Sequence, residues 1–104
     1  MLIGNQLTGE IPPELGQLSN LRVLELRINR LTGDLPSELG SLSNLRDMFL
    51  NHNQLTGEFP RSFLNLSSLR LFYWSNNDGL CAPNTSEFDE WLDGLVGWIG
   101  PRCD

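Results

Sequence analysis

Few residues of this 104-residue chain have the types and spacing that catalysis requires. His52 is the only histidine, and no cysteine or serine is placed as its partner, so it is better interpreted as a surface residue than as a base. Asp89 and Asp93 share one face of a helical pattern and could mimic a glycosidase pair, although an exposed acidic helix face explains them more simply. The sequence has no phosphate-binding loop and no nucleophile elbow. It therefore predicts a non-enzymatic protein with no cofactor and no metal site.

Two cysteines, Cys81 and Cys103, bracket a short amphipathic segment. A bond between them would close a loop of about 23 residues and stabilise the fold by about 3 kcal/mol. Free thiols or a metal-binding pair are the alternatives, but no other cysteine and only one histidine could complete a zinc site. A disulfide would imply an oxidising compartment. The glycosylation triplets at Asn65 and Asn84 agree with an exported protein, and ordinary turn or helix-start roles are the alternative.

The charge balance of the chain excludes nucleic acid as a partner. The net charge is −6 and the chain contains no lysine, whereas nucleic acid requires clustered cations. The acidity lies in the tail, because residues 78–104 hold six acidic residues and only one arginine. No stretch approaches the roughly 20 apolar residues of a membrane helix, and the opening residues MLIG do not form a signal peptide.

A repeat of 24 residues organises the rest of the chain. It is marked by an asparagine column, and the phrases NQLTGEIP, NRLTGDLP and NQLTGEFP begin at its first three members: Asn5, Asn29, Asn53 and Asn77. A fixed period of this length predicts a solenoid whose stacked coils share one core. Leu24 and Leu26 represent the alternating apolar positions of a short strand, which should pair in parallel with the same strand of the next coil. The asparagines should bond backbone groups at the following bend as an internal ladder, and the glycine of each LTG should adopt positive φ.

The full pattern LxxLxLxxNxLTGxIPxxLGxLxx over residues 2–77 resembles the plant-type leucine-rich repeat of receptor-kinase ectodomains and secreted repeat proteins. The resemblance implies an α/β repeat solenoid, a right-handed coil with a short parallel sheet on its concave face and a helical, disulfide-closed C-terminal cap. We assign residues 1–77 to the repeats, with a partial first coil at 1–20, coils at 21–44 and 45–68, and a last strand at 69–77. Residues 78–104 form the cap.

Both ends of the repeat array are distinctive. At the C-terminal end, Ser86 is the candidate N-cap of an amphipathic helix whose apolar stripe should cover the last coil; the stripe comprises Phe88, Trp91, Leu92 and Leu95. At the N-terminal end, five apolar residues should form an uncovered face: Leu2, Leu7, Ile11, Leu15 and Leu18. We expect the chain to be the C-terminal piece of a longer repeat protein; a short chain that hides this face by self-association is the alternative.

The functional surface should lie between the core leucines, at the strand positions that vary from coil to coil. The candidate ligand-binding residues are Glu25, Arg27, Asp47, Phe49, Asn51, His52 and Tyr73. Phe49 and Tyr73 are large for exposed neighbours and could anchor a partner; mutual stacking that stabilises the sheet is the alternative. A periodic row, Arg22, Arg46 and Arg70, could bind a carboxylate, or could simply be balanced by acidic rows.

These features predict a protein- or peptide-binding module, part of a larger extracellular or cell-surface recognition protein with a receptor-like role. The partner would be a protein or peptide and less readily a cell-wall glycan. A structural capping fragment without a ligand of its own is the alternative.

Overall fold

The computed structural model describes residues 6–104, which wind into three successive coils closed by a helical cap. Seven strands and one α-helix are present in this part of the chain: β1 (Thr8–Glu10), β2 (Val23–Glu25), β3 (Arg30–Asp34), β4 (Asp47–Phe49), β5 (Gln54–Thr56), β6 (Leu71–Tyr73), α1 (Ser86–Asp93) and β7 (Gly97–Ile99). Three 3₁₀ helices occupy Pro13–Gln17, Ser37–Ser41 and Arg61–Asn65. The predicted ladder member Asn5 and terminal-face residue Leu2 lie outside the described residues.

One parallel sheet, called here the concave sheet, has the strand order β2-β4-β6-β7. Its inward positions are in register from coil to coil, with Leu24 opposite Met48 and Met48 opposite Phe72. All three side chains are buried because alternate residues of a strand face opposite sides of the sheet. The first three strands were predicted from the repeat, whereas the fourth, β7, comes from the cap and was not.

A second parallel sheet has the order β1-β3-β5 and was not predicted from the repeat. Each of its strands includes residues of the LTG phrase of one coil, and the glycines of these phrases adopt the expected left-handed conformation, with φ of 81° at Gly33 and Gly57. A Cβ added at Gly33 would lie 2.8 Å from Cγ of Glu10 on the neighbouring coil. Glycine is therefore required there both for the backbone angle and for the close approach of the coils.

On the opposite side of the coil, the 3₁₀ helices stack at a distance that glycine sets. A Cβ at Gly16 would lie 2.3 Å from the carbonyl oxygen of Glu38, and one at Gly40 would lie 2.5 Å from the Ser62 side chain. The equivalent residue of the third coil is Leu64, which packs against the core. The glycine is dispensable at that position because α1, rather than another 3₁₀ helix, follows the third coil.

The core is continuous from Ile11 to Leu92 and becomes aromatic toward the cap. Phe59 packs with ring centroids 4.9 Å from Phe72 and 5.0 Å from Trp74, and Phe88 of α1 joins the same cluster. Of the apolar residues predicted to form an exposed terminal face, Ile11 is buried and Leu18 is exposed. Leu7 and Leu15 are partly buried against the core.

The asparagine side chains connect successive coils. Asn53 is buried; its Oδ1 accepts from Leu31 N at 3.1 Å, and its Nδ2 donates to Leu26 O and Leu50 O at 2.9 and 3.1 Å. Asn29 accepts from Leu7 N, and Asn77 accepts from Leu55 N. Each asparagine thus satisfies a backbone N–H of the preceding coil, and the amides of Asn53 and Asn77 also bond carbonyls of both their own and the preceding coil, which is how one residue type at one period holds the stack together.

The cap is fixed covalently and by packing. Cys81 and Cys103 form a disulfide, and no free cysteine remains in the chain. The N-cap of α1 is Thr85, not the predicted Ser86, because the Thr85 side chain accepts from Phe88 N at 3.3 Å. Phe88 and Leu92 of the predicted stripe are buried, and Trp91 and Leu95 pack partly buried beside them.

Polar contacts and a stacked ring complete the cap. Arg61 of the third coil pairs with Glu87 at the start of α1, and this hydrogen bond and charge raise the pKa of the Arg61 guanidinium. Arg102 pairs with Asp89, so the carboxylate considered for catalysis serves to hold the tail. Trp98 stacks on Trp74 with centroids 5.6 Å apart.

Candidate functional site

The outward residues of the concave sheet form rows that run across the coils. One row consists of Val23, Asp47, Leu71 and Gly97, and the next consists of Glu25, Phe49, Tyr73 and Ile99. Met1, Ile3 and Gly4, which stand at the same repeat positions as Glu25, Arg27 and Ile28, lie outside the described residues. Because the strands are parallel and in register, side chains of one row are direct neighbours and can bind one extended partner together.

The row that ends at Ile99 is mainly apolar. The rings of Phe49 and Tyr73 are 5.2 Å apart and tilted by 60°, and both side chains remain partly exposed. Ile99 extends the row on β7 and is 53% exposed. The mutual contact of the rings stabilises the sheet, and their remaining exposed surface is open to a partner.

The sequence pattern did not predict Ile99 as part of the row, and the reason is geometric. Asp47 pairs with Leu71 at the 24-residue period, but Leu71 pairs with Gly97, 26 residues later. The cap inserts two extra residues between paired strands, so a fixed period does not identify β7. The available signal was the short apolar run Gly97–Ile99 directly after the helix.

The Glu25 side chain was predicted to be available on the outward face, but it is not free in solvent. Its side chain is only 5% exposed, because Arg27 covers it and donates from Nε to Oε1 at 3.0 Å. The guanidinium of Arg27 also lies 5.2 Å from the centroid of the Phe49 ring. Arg27 therefore neutralises the carboxylate and stacks on the ring, so the exposed group at this position is the arginine.

Asp47 has a different environment from Glu25. It lies between Val23 and Leu71 in the sheet register, and its Oδ1 is enclosed without a hydrogen-bond partner. Within residues 6–104, no ion pair or hydrogen bond reaches the Asp47 carboxylate. The concave sheet thus carries one neutralised carboxylate and one that has no counter-charge.

Asn51 and His52 lie beyond the end of β4, at the bend. His52 has a φ of 62°, so its exposure comes from left-handed backbone and not from the predicted strand alternation; Ile28 and Asn76 share this conformation. His52 Nε2 is 3.2 Å from Asn76 Nδ2, a contact between coils rather than a catalytic pair. The Asn51 Oδ1 atom is enclosed and has no donor.

The remaining candidate positions are accessible. Asn65 and Asn84 are both exposed, and the Asn84 side chain accepts from Arg102 at 3.1 Å. Across residues 6–104, no group of three or more acidic, histidine or cysteine side chains could hold a metal ion. The helices in that same range are too short or too polar to cross a membrane.

Stacked coils with a parallel concave sheet, an asparagine ladder and a capped end define a leucine-rich repeat solenoid. The sequence comparison agrees, because the leucine-rich repeat family model matches residues 19–78. The chain belongs to the leucine-rich repeat family and is of the plant type. Among curated proteins, none matches the sequence.

Solved structures with the same architecture include receptor ectodomains. The chain is 34% identical to the plant peptide hormone receptor RGFR1, whose structure is a complex with RGF2, with a TM-score of 0.79 over 90% of this chain and 15% of the receptor. It is 31% identical to a chain of the PEPR1–AtPEP1 structure, with a TM-score of 0.79 over 89% of this chain and 13% of that one.

A third structure is matched over more than half of its own length. The chain is 31% identical to a chain of the BIR3–SERK2 complex from Arabidopsis thaliana, with a TM-score of 0.79, and the match covers 98% of this chain and 58% of that one. The chain therefore spans only part of the length of each of these structures.

Proposed function

We propose that the concave sheet is a non-enzymatic binding surface for an extended peptide or protein segment, within an extracellular recognition protein of receptor-like type. One observation carries the proposal: the partly exposed rings of Phe49 and Tyr73 continue into Ile99 as one apolar row on a rigid sheet. A few large side chains, aromatic ones among them, supply most of the binding energy at protein interfaces.

The surroundings of the row support a peptide as the occupant. The outward face presents an arginine at Arg27, a carboxylate at Asp47 and an amide at Asn51, all near the rings. A few polar groups around an apolar centre match the usual composition of a protein interface. Related structures include a hormone receptor in complex with RGF2, and PEPR1 with AtPEP1, which agree with a peptide partner. The disulfide supports an extracellular location.

A displayed library of random dodecapeptides, selected against the folded chain, tests the proposal. We expect the selected peptides to lose about tenfold or more in affinity for Phe49→Ala and for Tyr73→Ala, because buried aromatic anchors contribute more than about 1.4 kcal/mol each. Val96→Ala is the matched control, because Val96 is an exposed apolar residue at 72% but lies outside the row. Peptides that bind the Phe49→Ala/Tyr73→Ala double variant as tightly as the parent chain would contradict the proposal, as would a selection that yields no binder.

A further inference from the structure

Resting on the proposed function, we infer that the concave sheet selects partner segments that carry a basic side chain, lysine or arginine, which binds over Asp47. The inference names the chemical class of the partner and assigns Asp47 as the residue that determines specificity. It depends on a difference between the two carboxylates of the sheet: Glu25 has an ion-pair partner and Asp47 has none in the part of the chain that the structure describes.

The first step is that Asp47 has no counter-charge within residues 6–104. The periodic arginines directly precede the row of Val23, Asp47 and Leu71; they are exposed and form no ion pair in that range: Arg22, Arg46 and Arg70. The other carboxylate of the face, Glu25, is already neutralised by Arg27. A ligand cation at Glu25 would therefore compete with a bound arginine, whereas at Asp47 it would meet an uncompensated negative charge.

The second step is the poor solvation of that charge. One oxygen, Oδ1, is enclosed without a donor, and the flanking side chains of the row are Val23 and Leu71. A carboxylate that has already lost part of its hydration pays less further desolvation when a cation arrives. Apolar neighbours also weaken dielectric screening, so the same charge attracts a cation more strongly than at an open surface.

The third step is the shape of the matching ligand group. Lysine and arginine carry an apolar stem below the charged end, and such a stem can lie along Val23 or Leu71 while the cation reaches Asp47. The ring of Tyr73 lies in the adjacent row, on the next strand. The face therefore offers the Asp47 carboxylate to a cation, while the guanidinium of Arg27 is already engaged with Glu25.

The same dodecapeptide selection, run in parallel on the parent chain and on Asp47→Asn, tests the inference. We expect lysine and arginine to be enriched in the parent pool and not in the Asp47→Asn pool. Individual basic peptides should bind Asp47→Asn roughly fivefold to twentyfold more weakly, and this difference should shrink as salt rises. Asp93→Asn is the control, because it makes the same change of side chain and net charge on the far end of α1, where Asp93 is exposed.

A charge reversal and a stability measurement complete the design. Asp47→Lys should reverse the preference, so that its pool becomes enriched in aspartate and glutamate. Asp47→Asn should leave the urea midpoint unchanged or raise it, because the carboxylate stabilises nothing in the folded chain; a lowered midpoint would assign Asp47 a structural role and overturn the inference.

The failures of the two proposals are distinguishable. Peptides that depend on Phe49 and Tyr73 but show no basic enrichment, or that bind Asp47→Asn and the parent chain equally, would overturn the role of Asp47 and leave the proposed function intact. Peptides whose binding is insensitive to Phe49 and Tyr73 would refute the proposed function itself.

Discussion

Replacement of Asn53 by alanine tests how the coils are held together. Three hydrogen bonds would be lost, but their costs differ. Leu31 N would lose the Asn53 acceptor at 3.1 Å, whereas both carbonyls keep another amide donor. Leu26 O still accepts from Asn29 at 2.9 Å, and Leu50 O still accepts from Asn77 at 3.1 Å.

The stability cost of Asn53→Ala follows from this difference between the N–H, which loses its acceptor, and the two carbonyls, which keep a donor. A buried N–H left without an acceptor costs about 1–3 kcal/mol, and two weakened carbonyl interactions add about 1 kcal/mol together. We therefore expect Asn53→Ala to lower the free energy of unfolding by about 2–4 kcal/mol, a large fraction of the 5–15 kcal/mol typical of a domain. Asn53 is only 6% exposed, so water replaces little of the loss.

Urea denaturation, followed by tryptophan fluorescence for the cap and by circular dichroism for the coils, measures this change. Coincidence of the two transitions tests whether the array unfolds as one unit. Asn44→Ala is the control, because Asn44 is also an asparagine that bridges coils but is exposed and makes one hydrogen bond, to Ser19 O at 2.8 Å. It should cost less than about 1 kcal/mol. Equal losses for the two variants would refute the argument that burial of the ladder sets its contribution.

Two further predictions concern the cap. Cys81→Ser/Cys103→Ser removes a bond between residues 22 apart in sequence and should cost about 3 kcal/mol in the chain-entropy model, measured as a lower urea midpoint; an unchanged midpoint would show that packing alone holds the cap. Gly100→Ala places a Cβ 2.3 Å from the Trp74 ring and should cost about 1–3 kcal/mol by overpacking. Gly94→Ala, whose Cβ would lie 3.5 Å from its nearest neighbour, should be almost neutral, and equal costs for the two glycines would contradict the packing argument.

Much of the fold was predictable because the same arrangement of buried apolar residues recurs every 24 residues. Leu24, Met48 and Phe72 occupy one buried column, and any single coil would have given a weak strand signal, but three in register are unambiguous. The elements that were missed depend on neighbours rather than on local pattern. The second sheet forms because short LTG segments align across coils, and β7 forms because β6 offers a free edge at the end of the array.

The candidate site was less predictable for a related reason. The alternation of strand residues placed Glu25 and Asp47 on the same face and gave no means of distinguishing them. The difference arises from the residues two positions along and one coil away, because Arg27 covers Glu25 while Val23 and Leu71 flank Asp47. A repeat constrains its core columns to be alike and leaves its outward columns free to vary. The chemistry of the face therefore depends on combinations of side chains that the period brings together but does not specify, and two acidic residues on the same face of the sheet have different environments.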